Sequence, residues 1–295
     1  MSFSGELKCH RCPECNGYGC PDMLPGLGGV MDGQNFQANV EAWKRLGEAV
    51  AGLDAVEITP GKLRCGPVTG AVENIGFANE GDFYYPYLKN AYDAGFGLCI
   101  GDGCPDEKLK FGVAAVKQIK EEASGNVSAA FFLKPYPQER LFERVEWVKP
   151  YADYIGIDID SYNILTMRNL VHLERKTAAQ LEEFREKTKL PFVIKGVFTD
   201  ADLKLIKEVH PEVVYISNHG GRVETRLGST ADFLAQNAKE LKKYCKEIWI
   251  DGGIRTRRDI QTALYYGANQ VIMARSPIRA TFDDHYDEFL KELGL

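Results

Sequence analysis

The sequence predicts a (β/α)8 barrel, the TIM-barrel form of the α/β class, behind a short N-terminal extension. Three observations predict it: from about residue 63 short apolar runs alternate with amphipathic segments, eight such runs occur, and each stops at small or polar residues. The expected strands are 63–70, 95–102, 128–136, 152–160, 191–197, 213–220, 247–253 and 270–275. Val213-Val214-Tyr215-Ile216 represents them well, a continuous apolar run suited to a strand covered on both faces. Between the strands, residues 177–187 and 231–244 are amphipathic, and Thr199-Asp200, Ser229-Thr230 and Thr256 supply caps for the helices after the fifth, sixth and seventh strands. Phe83-Tyr84-Tyr85-Pro86-Tyr87 reads as the first barrel helix and its packing surface. A doubly wound open sheet would place Gly-x-Gly-x-x-Gly after its first strand, and none stands there. Residues 61–295 are therefore read as the barrel. Residues 1–60 form the extension: a Cys/Gly-rich stretch up to residue 33, a helix over 35–50 and a short strand over 55–59.

Bulk properties narrow the partners. A chain of 295 residues with 44% hydrophobic content can bury one large core. The net charge of -6, with no dense Lys/Arg tract, argues against nucleic acid or an anionic membrane surface, so a small molecule is the expected partner. No apolar run approaches the ~18 residues of a membrane helix. The start Met1-Ser2-Phe3-Ser4 lacks the hydrophobic region of a signal peptide, and the expected compartment is the cytoplasm. In that reducing setting the eight cysteines read as metal ligands or buried thiols, not as a disulfide scaffold.

Barrels of this kind carry their chemistry at the carboxyl ends of the strands. Strand four ends in Asp158-Ile159-Asp160, strand five in Lys195-Gly196, strand six in His219-Gly220-Gly221-Arg222, strand seven in Asp251-Gly252-Gly253 with Arg255, and strand eight in Ala274-Arg275. Alternation puts Asp158 and Asp160 on one side, inward if Ile157 and Ile159 face the helices. Lys195 on the adjoining strand carries a charge that burial makes costly without an anion or an electron-rich ligand, although a structural ion pair would also satisfy it. Gly252, Gly253, Arg255, a helix start near Thr256 and Arg275 together suit a phosphate between the last two loops. A phosphate on one side of the mouth and a lysine on the fifth strand fit FMN, whose reduced ring gathers negative charge that Lys195 would stabilise.

The segments Pro191-Phe192-Val193-Ile194-Lys195-Gly196, Ser217-Asn218-His219-Gly220-Gly221-Arg222 and Asp251-Gly252-Gly253-Ile254-Arg255 occur in an order and approximate spacing that resemble the FMN-dependent α-hydroxy acid dehydrogenases and oxidases. That resemblance implies an FMN enzyme that oxidises a small 2-hydroxy acid to a 2-oxo acid by hydride transfer to flavin. It makes His219 the active-site base, Asp160 the group that orients it and Arg222 the holder of the substrate carboxylate. Arg168 stands as an approximate second substrate arginine and Tyr136 as a stand-in for a family tyrosine. The cofactor would rest on Pro67, Val68, Thr69 and Gly70 after strand one, and on Gly101, Lys134, Asp158, Lys195, His219, Asp251, Gly252, Gly253, Arg255, Ala274 and Arg275. The sequence departs from the family at Asp158, where a small hydroxyl residue is usual, and at Lys134 on strand three. The family expects an active-site tyrosine in its N-terminal segment, whereas Tyr18 sits in a cysteine-rich stretch that does not resemble that segment. A homo-oligomer is expected by the same resemblance, and the electron acceptor is not legible.

Cys9, Cys12, Cys15 and Cys20 come within one residue of a compact ferredoxin-type spacing. They suit an iron-sulfur cluster or zinc, with a metal-free thiol segment as the alternative. Two further readings of the whole chain stay open: an FMN barrel oxidoreductase or isomerase with another substrate, and a non-catalytic flavin or metal sensor.

Overall fold

Eight parallel strands form the barrel in the computed structural model, which describes residues 34–75, 77–163, 171–223 and 225–295. Cys9, Cys12, Cys15, Cys20, Tyr18 and Arg168 lie outside the described residues. The strands are β1 (Leu63–Cys65), β2 (Leu98–Gly101), β3 (Ala129–Leu133), β4 (Tyr154–Asp158), β5 (Phe192–Val197), β6 (Val213–Ile216), β7 (Glu247–Ile250) and β8 (Gln270–Met273). Each falls inside an expected run. They pair in the order β1-β8-β7-β6-β5-β4-β3-β2, and a parallel bridge between Arg64 and Gly97 joins the two ends.

Alternation along the strands gives the barrel two apolar faces. Cys99, Ala130, Phe132, Val193, Val213, Tyr215, Trp249 and Ile272 fill the interior, where the rings of Phe132 and Tyr215 meet edge to face at 5.3 Å. Ile155, Ile157 and Ile159 point outward into the layer shared with the helices, so Asp158 belongs to the inward set. Arg64 closes the amino-terminal end, donating to Leu98 O and Ser128 O with its guanidinium 4.4 Å from the Trp249 ring.

The helices are α1 (Gln34–Glu48), α2 (Tyr84–Asp93), α3 (Glu107–Glu122), α4 (Gln138–Val148), α5 (Ala178–Thr188), α6 (Asp200–Val209), α7 (Thr230–Leu241), α8 (Arg257–Tyr265), α9 (Arg275–Phe282) and α10 (Tyr286–Leu293). Thr199, Ser229 and Thr256 cap α6, α7 and α8 as their positions suggested, each accepting from the backbone N–H three residues on. The expected strand over 55–59 does not form. Residues 53–55 make a 3-10 turn, and the Val56 carbonyl accepts from the side chain of Gln261 instead of entering a ladder.

Helix α1 is the part of the extension that matters for the mouth. Asn35, Asn39 and Trp43 recur every four residues and so share one face. Asn39 donates to Asn218 Oδ1 (2.9 Å), receives from Asn218 Nδ2 (3.2 Å) and accepts from the Thr230 N–H (2.9 Å). Asn35 donates to the carbonyls of Val223 and Arg226, and the Trp43 indole donates to Gly252 O at 2.7 Å. This close approach needs glycine opposite: a Cβ on Gly221 would lie 2.4 Å from Phe36 N, and one on Gly253 2.7 Å from the Asn39 carbonyl carbon. Asn39→Ala is expected to leave buried groups of Asn218 and Thr230 without partners and to lower stability by about 2 kcal/mol, read from urea unfolding.

Candidate active site

The loop after β6 places the imidazole. His219 has φ 52, Gly220 φ 63 and Gly221 φ 94. Three successive left-handed residues turn the chain sharply, at no steric cost to the glycines and roughly 1 kcal/mol to the histidine. Asn218 holds this turn with Oδ1 accepting from the Gly221 N–H at 3.0 Å, while its amide is locked to Asn39 of α1. A histidine held in this strained conformation by surrounding bonds makes the loop a candidate functional site.

Its ring lies between two carboxylates. His219 Nδ1 is 2.9 Å from Asp160 Oδ2, and Nε2 is 2.9 Å from Asp158 Oδ2. The other oxygen of Asp158 accepts from Lys195 Nζ at 2.9 Å, and that ammonium lies 3.3 Å from His219 Nε2. The register explains the meeting, because Asp158 and Lys195 are paired positions of β4 and β5. A bulge follows at Gly196, with φ 94, where a Cβ would lie 2.2 Å from Asp160 Oδ1. Glycine at that bulge gives Asp160 its place beside His219. Beyond Asp160 lies a cavity of about 280 Å³, lined among others by Tyr162, Lys176, Phe198, Thr199 and Val223.

Burial and charge act against each other in this cluster. Burial opposes the imidazolium, but Asp158 and then Asp160 outweigh it and raise the His219 pKa. Burial likewise opposes charge on Asp158, yet His219 and Lys195 hold its carboxyl well below the usual range. For Asp160 burial prevails and its pKa rises. Lys195 is raised because Asp158, Asp160 and Asp251 outweigh its desolvation, whereas burial lowers Lys134.

Around this centre the structure sorts the other candidates. Lys134 follows β3 beside Asp158, and its backbone N–H donates to Asp102 Oδ2 at 3.1 Å. Arg222 is half-buried, its guanidinium in no hydrogen bond or ion pair with a described residue, and burial lowers its pKa. Tyr136 is buried with its hydroxyl in no hydrogen bond, under the Arg144 guanidinium 4.3 Å away, and no hydrogen bond ties it to His219. Asp102, also paired with Arg144, is pushed up by burial to about 6. Pro67 to Gly70 lie against the end of β2, where a Cβ on Gly101 would meet Pro67 O at 2.4 Å. Glu80 holds this loop, accepting from the N–H groups of Gly70, Ala71 and Val72.

The corner expected to bind an anion differs from the expectation in one respect. The start of α8 is closed by its own residues: Asp259 accepts from the N–H groups of Arg255 and Thr256, and Thr256 from that of Asp259. The open helix start is that of α9, where Ala274 precedes Arg275 and offers no side-chain cap. The side of Gly252 where a Cβ would stand is filled by Thr230 of α7 and Asn39 of α1, and that of Gly253 by Asn39, so their lack of a side chain answers to helix packing. Asp251 accepts from the Tyr215 hydroxyl at 2.7 Å.

Three features escaped sequence reasoning: Asp158 on Nε2, the Asn39–Asn218 pair and the Glu80 bonds. Only the second had a signal, the four-residue spacing of Asn35, Asn39 and Trp43 on one helix face.

A parallel barrel with a titratable cluster at its carboxyl mouth, and an open helix start beside its eighth strand, belongs to the class of α/β barrels, which carry their chemistry at that end. Residues 131–285, more than half of the chain, match the family model described as FMN-dependent dehydrogenase, and the chain belongs to that family. It is 35% identical over 95 residues to 2-hydroxyacid oxidase 2 of Bos taurus, a segment covering 32% of this chain and 27% of that protein. It is 37% identical over 103 residues to L-lactate dehydrogenase (cytochrome) of Saccharomyces cerevisiae, covering 34% of this chain and 17% of the relative. These matched segments thus span about a quarter or less of the relatives' length. Mandelate oxidase in complex with 3,3-difluoro-2-hydroxy-3-phenylpropionic acid shares the fold, with a TM-score of 0.64 at 20% identity over 93% of this chain and 88% of that one.

Two outcomes are expected. Gly196→Ala should displace Asp160, and an NMR titration should show a lower His219 pKa than in the parent protein. Because the folded pKa of His219 is raised above its ordinary 6.5, the imidazolium contributes stability fully present below pH 6.5 and lost as pH rises through the folded value. The stability gap between the parent and His219→Gln, from denaturant midpoints, should therefore shrink as pH increases above 6.5.

Proposed function

We propose that this chain binds FMN at the barrel mouth and oxidises a small 2-hydroxy acid to the 2-oxo acid. The observation that carries the reading is the Asp160-bound imidazole of His219 three residues from Arg222, a half-buried guanidinium in no ion pair with a described residue. That combination suits a hydroxyl proton and a carboxylate on one small molecule.

The residues fit the cofactor. The edge of the flavin pyrimidine carries acceptors at O4, O2 and N1 around a single donor at N3. Neighbouring strand ends supply Lys134, Asp158 and Lys195 in the order donor, acceptor, donor. The open start of α9, with Arg275, and Arg255 after β7 suit a phosphate. Pro67 to Gly70 and Gly101 would form the floor on the β1 and β2 side.

Bound FMN supplies the hydride acceptor. Arg222 holds the substrate carboxylate and so fixes the carbinol carbon in the mouth. His219 Nε2 takes the hydroxyl proton as hydride leaves that carbon, and Asp160 on Nδ1 keeps the ring oriented and stabilises the resulting imidazolium. Tyr136, buried with its hydroxyl in no hydrogen bond, is assigned to the substrate oxygen. Asp158 on Nε2 favours a second reading, an FMN barrel that acts on a different substrate.

Anaerobic addition of lactate, glycolate or mandelate should bleach the flavin spectrum of the purified protein. Failure of all three, with turnover of another compound that His219→Gln abolishes, selects the second reading. Since only the neutral imidazole accepts a proton, kcat/KM should rise with pH through a range above 6.5, following the raised His219 pKa. Arg222→Met should raise KM about 30-fold, the worth of a charge-assisted bond of ~2 kcal/mol, with a smaller change in kcat.

A further inference from the structure

In the free protein the nitrogen that should face a substrate is already taken. Asp158 Oδ2 lies 2.9 Å from His219 Nε2, and Asp158 Oδ1 lies 2.9 Å from Lys195 Nζ. All three side chains are largely buried, with side-chain exposures of 9%, 13% and 4% for Asp158, His219 and Lys195. We propose that Asp158 is an internal occupant of the substrate position, a carboxylate that must leave His219 Nε2 before a ligand oxygen can bond there, and that it thereby selects neutral hydroxyls over anions at that nitrogen. The inference rests on the reading of His219 and Arg222 as the substrate site.

The charges around the ring support it. From β4 it meets Asp158 and Asp160, from β5 Lys195, and from its own loop Arg222 follows three residues on. Lys134 acts on Asp158 from the end of β3, and Asp251 on Lys195 from the end of β7. Counting the groups in direct contact, two carboxylates face one ammonium and one imidazole, so they balance when the imidazole is protonated. An imidazolium bonded at both nitrogens has no lone pair to offer. A neutral hydroxyl can replace Asp158 at Nε2 and leave that carboxylate on Lys195. An anion at the same nitrogen would add a third negative charge to the pocket, close to the Asp158 carboxylate. A histidine bonded on Nδ1 alone would lack this discrimination, and Arg222 would draw anions in unopposed.

The test uses the full-length protein, Asp158→Thr, and Asp158→Asn as a near-isosteric control for folding. Calorimetric titration with oxalate, a dianion, should show affinity about tenfold or more higher in both variants than in the parent. Proton and nitrogen NMR of the parent should show two slowly exchanging ring N–H signals, assigned to His219 by their loss in His219→Gln. The Nε2 signal should disappear or move in Asp158→Thr, while the Nδ1 signal persists on Asp160. Unchanged or weaker oxalate binding in the variants overturns the proposal, and so does a parent imidazole unprotonated at Nε2. If Asp158→Thr fails to fold, Asp158→Asn decides alone by the same two readouts. The NMR result stands whether or not FMN binds. Flavin bleaching by a hydroxy acid with unaltered oxalate affinity would sink this inference and spare the proposed function.

Discussion

The site depends on one constraint: two carboxyl groups, one ammonium and one imidazole are buried in direct contact, and with both carboxyls ionised their charges cancel when His219 is protonated. Isolated buried charges cost several kcal/mol each, and mutual attraction offsets that cost only when geometry and hydrogen bonding are good. Here the hydrogen-bonded contacts between charged groups lie at 2.9 Å. The arrangement is thus held at fixed spacing by its own electrostatics, which a catalytic constellation needs. It also sets a conflict for the proposed function, because the proton that completes the balance occupies the atom that reading assigns as base.

The backbone of this cluster comes from places far apart in the chain. Registered pairing of β4 with β5 puts Asp158 beside Lys195, the glycine bulge in β5 makes room for Asp160, and the left-handed turn after β6 swings His219 over both. That turn is braced from outside the barrel. Asn39 of α1 exchanges hydrogen bonds with Asn218, the residue before the histidine, and Trp43 fixes the loop after β7. The amino-terminal helix is therefore part of the machinery that positions the imidazole, and the glycines facing it let its backbone come close enough to do so.

Much of this was legible along the chain. The eight apolar runs stand where the strands stand, because a parallel strand covered on both faces must be apolar throughout. The caps at Thr199, Ser229 and Thr256 were local patterns and formed locally. The inward side of Asp158 and Asp160 followed from alternation. The strand over 55–59 failed because a strand exists only with a neighbour, and the Gln261 side chain had taken the Val56 carbonyl. The start of α8 is less open to a phosphate than expected although the signal was present: Thr256 with Asp259 three residues on is a capping box, which takes the N–H groups of Arg255, Thr256 and Asp259.

Sequence by itself determined the barrel, the strand ends that carry polar groups and the pairing of a histidine with an arginine on one loop, since each depends on periodicity or on near neighbours. Tertiary structure alone decided which carboxylate meets which nitrogen. Asp158 and Asp160 are two residues apart and chemically identical, yet one lies on Nε2 with Lys195 and the other on Nδ1 against Gly196. That distinction comes from the register of β4 against β5 and from the turn of a loop some sixty residues later. Periodicity fixes the side of a strand on which a group lies. It cannot fix the ångströms between groups on different strands, and hydrogen bonds are decided at that scale.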